Sequence, residues 1–160
     1  MDYDIRPYQP DDLEAVLQLS IAAWAPVFAS FEAALGSKIF LFLYPDWQKT
    51  QRETVEKYVT DETYVTVVAE ADGLVVGFLN YELREEKKTG EVMLLAVHPD
   101  YQNEGIGTTL NLYALDRMKE AGMELATVGT GGDEGHAPAR VSYEKAGYTP
   151  LPVVQYYKSL

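Results

Sequence analysis

The residues best suited to chemistry lie in segment 97–108, which reads VHPDYQNEGIGT and contains Gly105 and Gly107. Glycines let a bound group approach the backbone closely and let the chain adopt conformations that other residues resist. If a helix follows, its first N–H groups lack internal partners and its dipole adds partial positive charge. The segment therefore predicts a turn that holds an anion such as a phosphate or a pyrophosphate.

The flanking sequence supplies the elements that such a turn needs. Segment 91–97 is short, apolar and β-prone, which indicates a buried strand. Segment 108–121 carries apolar residues at helical spacing, and Gly122 is a natural stop. Two known nucleotide motifs do not fit, because a Rossmann fingerprint needs a glycine where Leu110 stands and no Walker sequence occurs. An ordinary strand-to-helix loop stays open as the alternative.

Two sequence signatures resemble those of the GNAT superfamily of acyl-CoA N-acyltransferases. Segment 102–107, QNEGIG, matches the pattern Gln/Arg-x-x-Gly-x-Gly/Ala, and segment 97–101 resembles the usual lead-in. Downstream, segment 136–148 reads HAPARVSYEKAGY and resembles Asn-x-x-Ala-x-x-x-Tyr-Glu-Lys-x-Gly-Phe. Two motifs in the right order are more specific than one. The resemblance extends over about residues 74–148 and implies acetyl-CoA as co-substrate.

The second signature also fits a helix on physical grounds. Pro138 suits the first turn, where its missing N–H costs nothing, and Gly147 suits the position after the last turn. The resemblance assigns Tyr143 as the general acid that protonates the leaving thiolate. A packed aromatic side chain is the alternative for Tyr143. His136 stands where the family often has an asparagine that contacts pantetheine or acceptor, with a surface histidine as its alternative.

The resemblance also implies how the cofactor is held. Backbone groups of Leu95, Ala96 and Val97 would pair with the pantetheine arm, next to a β-bulge near Leu94. The residues expected to contact the pyrophosphate are Gln102, Asn103, Glu104, Gly105, Ile106, Gly107 and Thr108.

The implied reaction is direct attack of an amine on the acetyl group, without an acyl-enzyme. An alkylamine has an ordinary pKa of about 10.4, so losing its proton at neutral pH costs roughly 4 kcal/mol and calls for a base. Glu91 is the leading candidate, because it precedes Gln102 by 11 residues, where several family members carry a glutamate base. An exposed residue at the start of the strand is the alternative, and Glu82 ranks lower.

The acceptor site is expected between the first helix and the second strand, in an unusually aromatic stretch. In the family this region commonly forms a wall of the acceptor site. The candidate residues there are Trp24, Phe28, Tyr44 and Trp47. A pair of core helices explains most of these aromatic residues equally well.

Composition narrows the classes of partner. The chain has 160 residues, 25 acidic and 13 basic, for a formal charge of −12, which argues against a nucleic-acid partner and favours a cationic acceptor. With no cysteine and two histidines, a thiol nucleophile is excluded and a metal site is not expected. No secretory signal is recognised, and no apolar run looks long enough to span a membrane. We therefore expect a cytoplasmic protein without a membrane partner.

Together these features predict one domain, residues 1–160, with a mixed α/β fold. The expected GNAT-like sheet has six or seven mostly antiparallel strands, flanked by about four helices, with splayed parallel strands at its centre. Segments 63–70 and 73–83 should form a hairpin, and segment 151–157 a last strand. The leading function is N-acetyl transfer to a primary amine. The alternatives are a non-catalytic acyl-CoA sensor and transfer of another acyl group, and a homodimer is possible.

Overall fold

A computed structural model describes residues 1–160 and places five helices around one five-stranded sheet. The elements in chain order are β1 (Asp4–Pro7), α1 (Leu13–Leu35), α2 (Ser37–Leu43), α3 (Trp47–Thr60), β2 (Tyr64–Ala71), β3 (Leu74–Arg84), β4 (Thr89–Val97), α4 (Ile106–Glu120), β5 (Leu125–Val128) and α5 (Ala137–Lys145). The strands lie in sequence order, all antiparallel except the parallel pair β4 and β5. The predicted mixed α/β fold is confirmed, with five strands rather than six or seven.

The missing strand is the one expected at residues 151–157. Residues 148–160 form no helix or strand, and Leu151 and Tyr156 are each 86% exposed. An alternating apolar segment becomes a strand only where a neighbouring strand satisfies its backbone groups. Here no strand pairs with it, and Pro152 removes one donor from the segment. The prediction of a strand at this position was wrong.

The sheet is buried on both faces, because it separates two apolar cores. One core packs α4 against the sheet and contains Val76, Leu79, Ile106, Leu110 and Met118 among others. The other packs α1 and α3 on the opposite face and includes Val16, Leu17, Val55, Val68 and Phe78. The β2–β3 hairpin turns at Asp72 and Gly73, which both have positive φ, as the sequence predicted.

The first helix belongs to a long apolar stretch of the chain. The stretch Pro10–Leu35 is long and apolar enough, by length and composition alone, to cross a membrane. Core helices meet the same criterion, and here Val16, Leu17 and Leu19 are buried in the core shared with α3 and the sheet. The expectation that no segment reached this length was therefore wrong.

Candidate active site

Strand β4 extends beyond the end of its parallel neighbour β5. Their parallel pairing ends at Val92 and Val128, after only four residue pairs. At the same level the β3–β4 register shifts, since Asn80 pairs with Leu94 and Tyr81 with Val92, which leaves Met93 as an extra residue. This is the β-bulge expected near Leu94. The outer edge of residues 93–97 consequently lacks a strand partner.

A cleft of about 610 Å³ lies beside the unpaired part of β4, next to the end of β5. Side chains and backbone from α1, β4, the β4–α4 loop, α4 and α5 line it. The lining includes Trp24, Leu95, Ala96, Val97, Gln102, Asn103, Gly105, Ile106, Gly107, Thr108, His136 and Tyr143. The structure therefore brings most of the residues predicted for the site to one cavity.

The N-terminus of α4 forms one end of this cleft. Gly105 is the N-cap residue with φ of +80°, and no side chain caps the helix. The first backbone hydrogen bond of the helix runs from Thr109 N to Gly105 O at 3.0 Å, so the N–H groups before it have no partner in the helix. Gln102 donates through Nε2 to Val97 O at 3.1 Å, which ties the loop back to β4. These N–H groups suit a phosphate.

Close packing between α4 and α5 fixes the walls of the cleft. A Cβ on Gly107 would lie 3.1 Å from Ser142 Oγ, so the glycine lets the two helices approach. Buried Asn111 donates through Nδ2 to Gly107 O at 3.0 Å and to Ser142 Oγ at 3.2 Å. This contact holds α5 against α4 and so helps to position the side chains that α5 presents to the cleft.

Tyr143 lies on α5 with its side chain buried against the cleft. Burial, with a smaller effect from nearby Tyr148, raises the pKa of Tyr143 well above that of an ordinary phenol. The two rings meet edge to face at 5.9 Å, and burial raises the pKa of Tyr148 to about 12. Both phenols therefore stay protonated at neutral pH, and Tyr143 is available as a proton donor.

A histidine–aspartate pair lies at the start of α5. His136 Nδ1 and Asp133 Oδ1 are 2.5 Å apart, and both side chains are largely buried. Burial alone would raise the pKa of Asp133, but the hydrogen bond with His136 contributes to holding it below its usual value. Asp133 thus remains ionised. The sequence analysis missed this pair, although the spacing Asp-x-x-His in a glycine-rich loop was a signal that could have revealed it.

The aromatic residues predicted for the acceptor site divide into two groups. Trp24 lines the cleft, whereas Phe28, Tyr44 and Trp47 pack mainly on one another. The rings of Phe28 and Trp47 stack at 4.5 Å, and those of Phe28 and Tyr44 meet edge to face at 5.3 Å. Phe31, which the sequence analysis did not select, joins this cluster and lies 5.6 Å from the His136 ring. The cluster therefore packs against the cleft lining at His136 and is not itself part of that lining.

Besides Phe28, Tyr44 and Trp47, two predicted glutamates also lie outside the lining of the cleft. Glu104 is exposed on the loop, and Glu91 is not part of the lining. The Glu91 carboxylate pairs with Arg84 at 2.6 Å, and the same guanidinium contacts Glu82 at 2.9 Å. Glu82 and Glu91 are direct partners across β3 and β4. Both carboxylates thus form ion pairs with the same arginine, Arg84. No group of three or more metal-ligating side chains occurs in the chain.

Comparison with known proteins agrees with this geometry. Residues 32–148 match the acetyltransferase (GNAT) family. The chain belongs to that family. It is 28% identical to a mycothiol acetyltransferase of Saccharomonospora viridis, over 95% of this chain and 48% of the relative. The chain therefore spans about half the length of that curated relative.

Solved structures share the GNAT fold with this chain. The PaiA N-acetyltransferase of Thermoplasma acidophilum, in complex with coenzyme A, superposes with a TM-score of 0.70 at 19% identity, over 90% of this chain and 88% of that one. The ribosomal-protein-S18-alanine N-acetyltransferase of Escherichia coli superposes with a TM-score of 0.67 at 19% identity, over 94% and 80%. At this level of identity the likeness establishes the fold.

Proposed function

We propose that this chain is an acetyl-CoA-dependent N-acetyltransferase that acts on a primary amine. The observation that carries the proposal is one continuous cleft, which joins the open edge of β4, the uncapped N-terminus of α4 and the side chain of Tyr143. An extended pantetheine arm needs such a strand edge, and a pyrophosphate needs such a helix terminus. Acetyl-CoA supplies the acetyl group when it is bound.

Backbone groups perform most of the cofactor binding in this scheme. Residues 95–97 present the open strand edge to the pantetheine arm, and residues 102–108 present N–H groups to the pyrophosphate. Gly105 carries no side chain, and no other side chain forms a capping hydrogen bond there, so the N–H groups of the helix terminus stay available to a ligand. The cleft residues therefore fit the cofactor that the family uses.

Tyr143 then acts as the general acid. Its raised pKa keeps the phenol protonated until thiolate charge develops nearby. Proton transfer from a positioned side chain typically contributes a factor of about 10² to 10⁴ in rate. Because the chain has no cysteine, the amine attacks the acetyl carbon directly rather than through a thioester on the protein. The base role predicted for Glu91 receives no support from its position beside Arg84.

The acceptor is proposed to be a cationic amine. The formal charge of −12 favours encounter with cations, and Trp24 offers an aromatic surface in the lining of the cleft. The curated relative named mycothiol acetyltransferase and the N-acetyltransferases of the same fold are consistent with an amine acceptor. We also propose a cytoplasmic location and a possible homodimer, as expected from the sequence.

The test is thiol release from acetyl-CoA across a panel of polyamines, amino acids, aminoglycosides and short peptides, with CoA binding measured by calorimetry. Tyr143→Phe should lower kcat by about 10²-fold or more while the Kd for CoA stays within about threefold. Tyr113→Phe, on α4 and beside Arg117, removes the same hydroxyl away from the cleft and should leave kcat unchanged.

A non-catalytic acyl-CoA sensor is the second candidate function. The ion pair between Glu91 and Arg84 favours it, because the predicted base is held by another side chain outside the cleft. Tight CoA binding by the wild-type chain with no turnover of any amine would support the sensor. If Tyr143→Phe leaves turnover unchanged, that result contradicts the role of Tyr143 as general acid and leaves the N-acetyltransferase function standing.

A further inference from the structure

His136 and Tyr143 face the same cleft from the same side of α5. His136 is the N-cap residue of the helix, and Tyr143 follows two turns later. Seven residues correspond to a rise of about 10 Å along a helix and return to nearly the same face. A proton acceptor at His136 and a proton donor at Tyr143 can therefore face substrates bound in the same cleft.

The contact with Asp133 determines which tautomer the neutral imidazole ring adopts. An ionised carboxylate can only accept hydrogen bonds, so Nδ1 of His136 must be the donor across the 2.5 Å contact. In the neutral ring Nε2 is then unprotonated and carries a lone pair. His136 lines the cleft, so this second nitrogen is the one left for a ligand.

The loop that carries this pair is firmly held. Arg140 donates through Nη1 to the carbonyl oxygens of Gly131 and Asp133, both at 2.7 Å. Gly135 N donates to Ser30 Oγ at 3.1 Å, and a Cβ on Gly135 would lie 2.6 Å from Val27 Cα. The loop is therefore packed directly on α1, and its geometry keeps Asp133 beside the ring.

We propose that His136, held by Asp133, is the general base that takes the proton from the attacking amine. This assignment rests on the proposed N-acetyltransferase function. The ammonium form of the acceptor first releases one proton to solvent, which frees the lone pair of its nitrogen. The neutral amine nitrogen then forms a bond to the acetyl carbon, a second proton passes from that nitrogen to Nε2 of His136, and the carbon–sulfur bond breaks. The thiolate takes the proton of the Tyr143 hydroxyl. Solvent then removes the proton from the imidazolium and returns one to the phenolate. Asp133 acts through His136 and is a positioning residue.

The first experiment measures kcat, KM and CoA affinity with the best acceptor of the amine panel. His136→Gln should lower kcat by about 10² to 10³-fold, with the Kd for CoA within threefold. Asp133→Asn should lower kcat by about 10 to 100-fold, as removal of an orienting partner typically does. Glu134→Gln removes the same charge from an exposed neighbouring position and should change nothing.

Two outcomes would overturn the proposal. If His136→Gln keeps kcat and loses only CoA affinity, the ring is a pantetheine contact. If Glu91→Gln shows the large loss in kcat while His136→Gln stays active, the base is Glu91. Chemical rescue separates a catalytic role of His136 from a structural one. Imidazole in the buffer should restore activity to His136→Ala and not to Tyr143→Phe, whereas a purely structural loss would not be restored.

A second experiment needs no acceptor and reports on the pair directly. The chain has two histidines, so ¹⁵N spectra of histidine-labelled protein contain two sets of imidazole signals. The set that disappears in His98→Gln belongs to His98, and the other belongs to His136. His136 should show a protonated Nδ1 in the neutral ring, and Asp133→Asn should abolish that preference. A protonated Nε2 in the wild type would overturn the proposal. Wild-type protein that turns over no amine overturns the N-acetyltransferase function itself, whereas turnover that survives His136→Gln and His136→Ala overturns only the base.

Discussion

Substitution of Gly105 by alanine tests whether the N-terminus of α4 holds the pyrophosphate. Gly105 has φ of +80° and ψ of 1°, and a Cβ added there would meet no atom within 4 Å. The cost in the free protein is therefore conformational, about 1 to 2 kcal/mol for a left-handed residue with a side chain. For a chain of this size that lowers Tm by about 3 to 6 °C.

CoA binding should suffer in addition. A methyl group at the N-cap position stands where the phosphates must approach the helix terminus, so we expect the Kd for CoA to rise at least tenfold, or about 1.4 kcal/mol. Calorimetry with CoA and thermal unfolding monitored by circular dichroism measure the two effects separately. The change in the Kd for CoA is the result that tests where the pyrophosphate binds.

Gly122 provides the matched control at the other end of the same helix. It has φ of +84°, also with no atom within 4 Å of an added Cβ, and lies outside the cleft. Gly122→Ala should therefore lower Tm by a similar amount and leave CoA affinity unchanged. Equal loss of CoA affinity in both variants, or none in Gly105→Ala, would refute the placement of the pyrophosphate at this helix terminus.

Two further predictions concern stability. The Tyr148 hydroxyl is buried without a hydrogen-bond partner, so Tyr148→Phe should raise the free energy of unfolding by about 1 kcal/mol, measured by urea titration, and a lower value would contradict this. The hydrogen bonds from Arg6 to Asp12, at 2.8 and 2.9 Å, outweigh burial and lower the pKa of Asp12. Asp12→Asn should therefore cost about 1.5 to 3 kcal/mol at pH 7. Because the folded pKa lies below the unfolded value near 3.9, this difference should shrink as pH falls below about 4, and an equal difference at pH 3 and pH 7 would contradict the reasoning.

Local signals predicted the parts of the site that depend on neighbouring residues in the chain. The turn at Gly105 and the stop at Gly122 both require positive φ, and glycine marks such positions in any sequence. The hairpin at Asp72 and Gly73 follows from the same chemistry. Strand, turn and helix were therefore predictable in order, and with them the helix terminus at which we propose that the pyrophosphate binds.

Contacts between distant segments could not be predicted in the same way. The pairing of Glu91 with Arg84 depends on the register of β3 against β4, which a bulge at Met93 shifts by one residue. The strand expected at residues 151–157 had the right apolar pattern, yet a strand also needs a partner edge. The Asp133–His136 contact is local, but its proposed role in the chemistry emerges only because the fold places His136 in the lining of the cleft.

The two halves of the cleft are built from different kinds of group, and this has a consequence for specificity. The proposed cofactor half consists of a strand edge and a helix terminus, whose backbone groups tolerate many side chains as long as the conformation is kept. The proposed acceptor half depends on the side chains of Trp24, His136 and the ring cluster behind them. Substitutions in the second half can therefore change the amine that is accepted without weakening CoA binding. A Trp24→Ala variant should shift the ranking of amines in the panel while the Kd for CoA stays constant, and a parallel fall in both would show that the two halves are not separable.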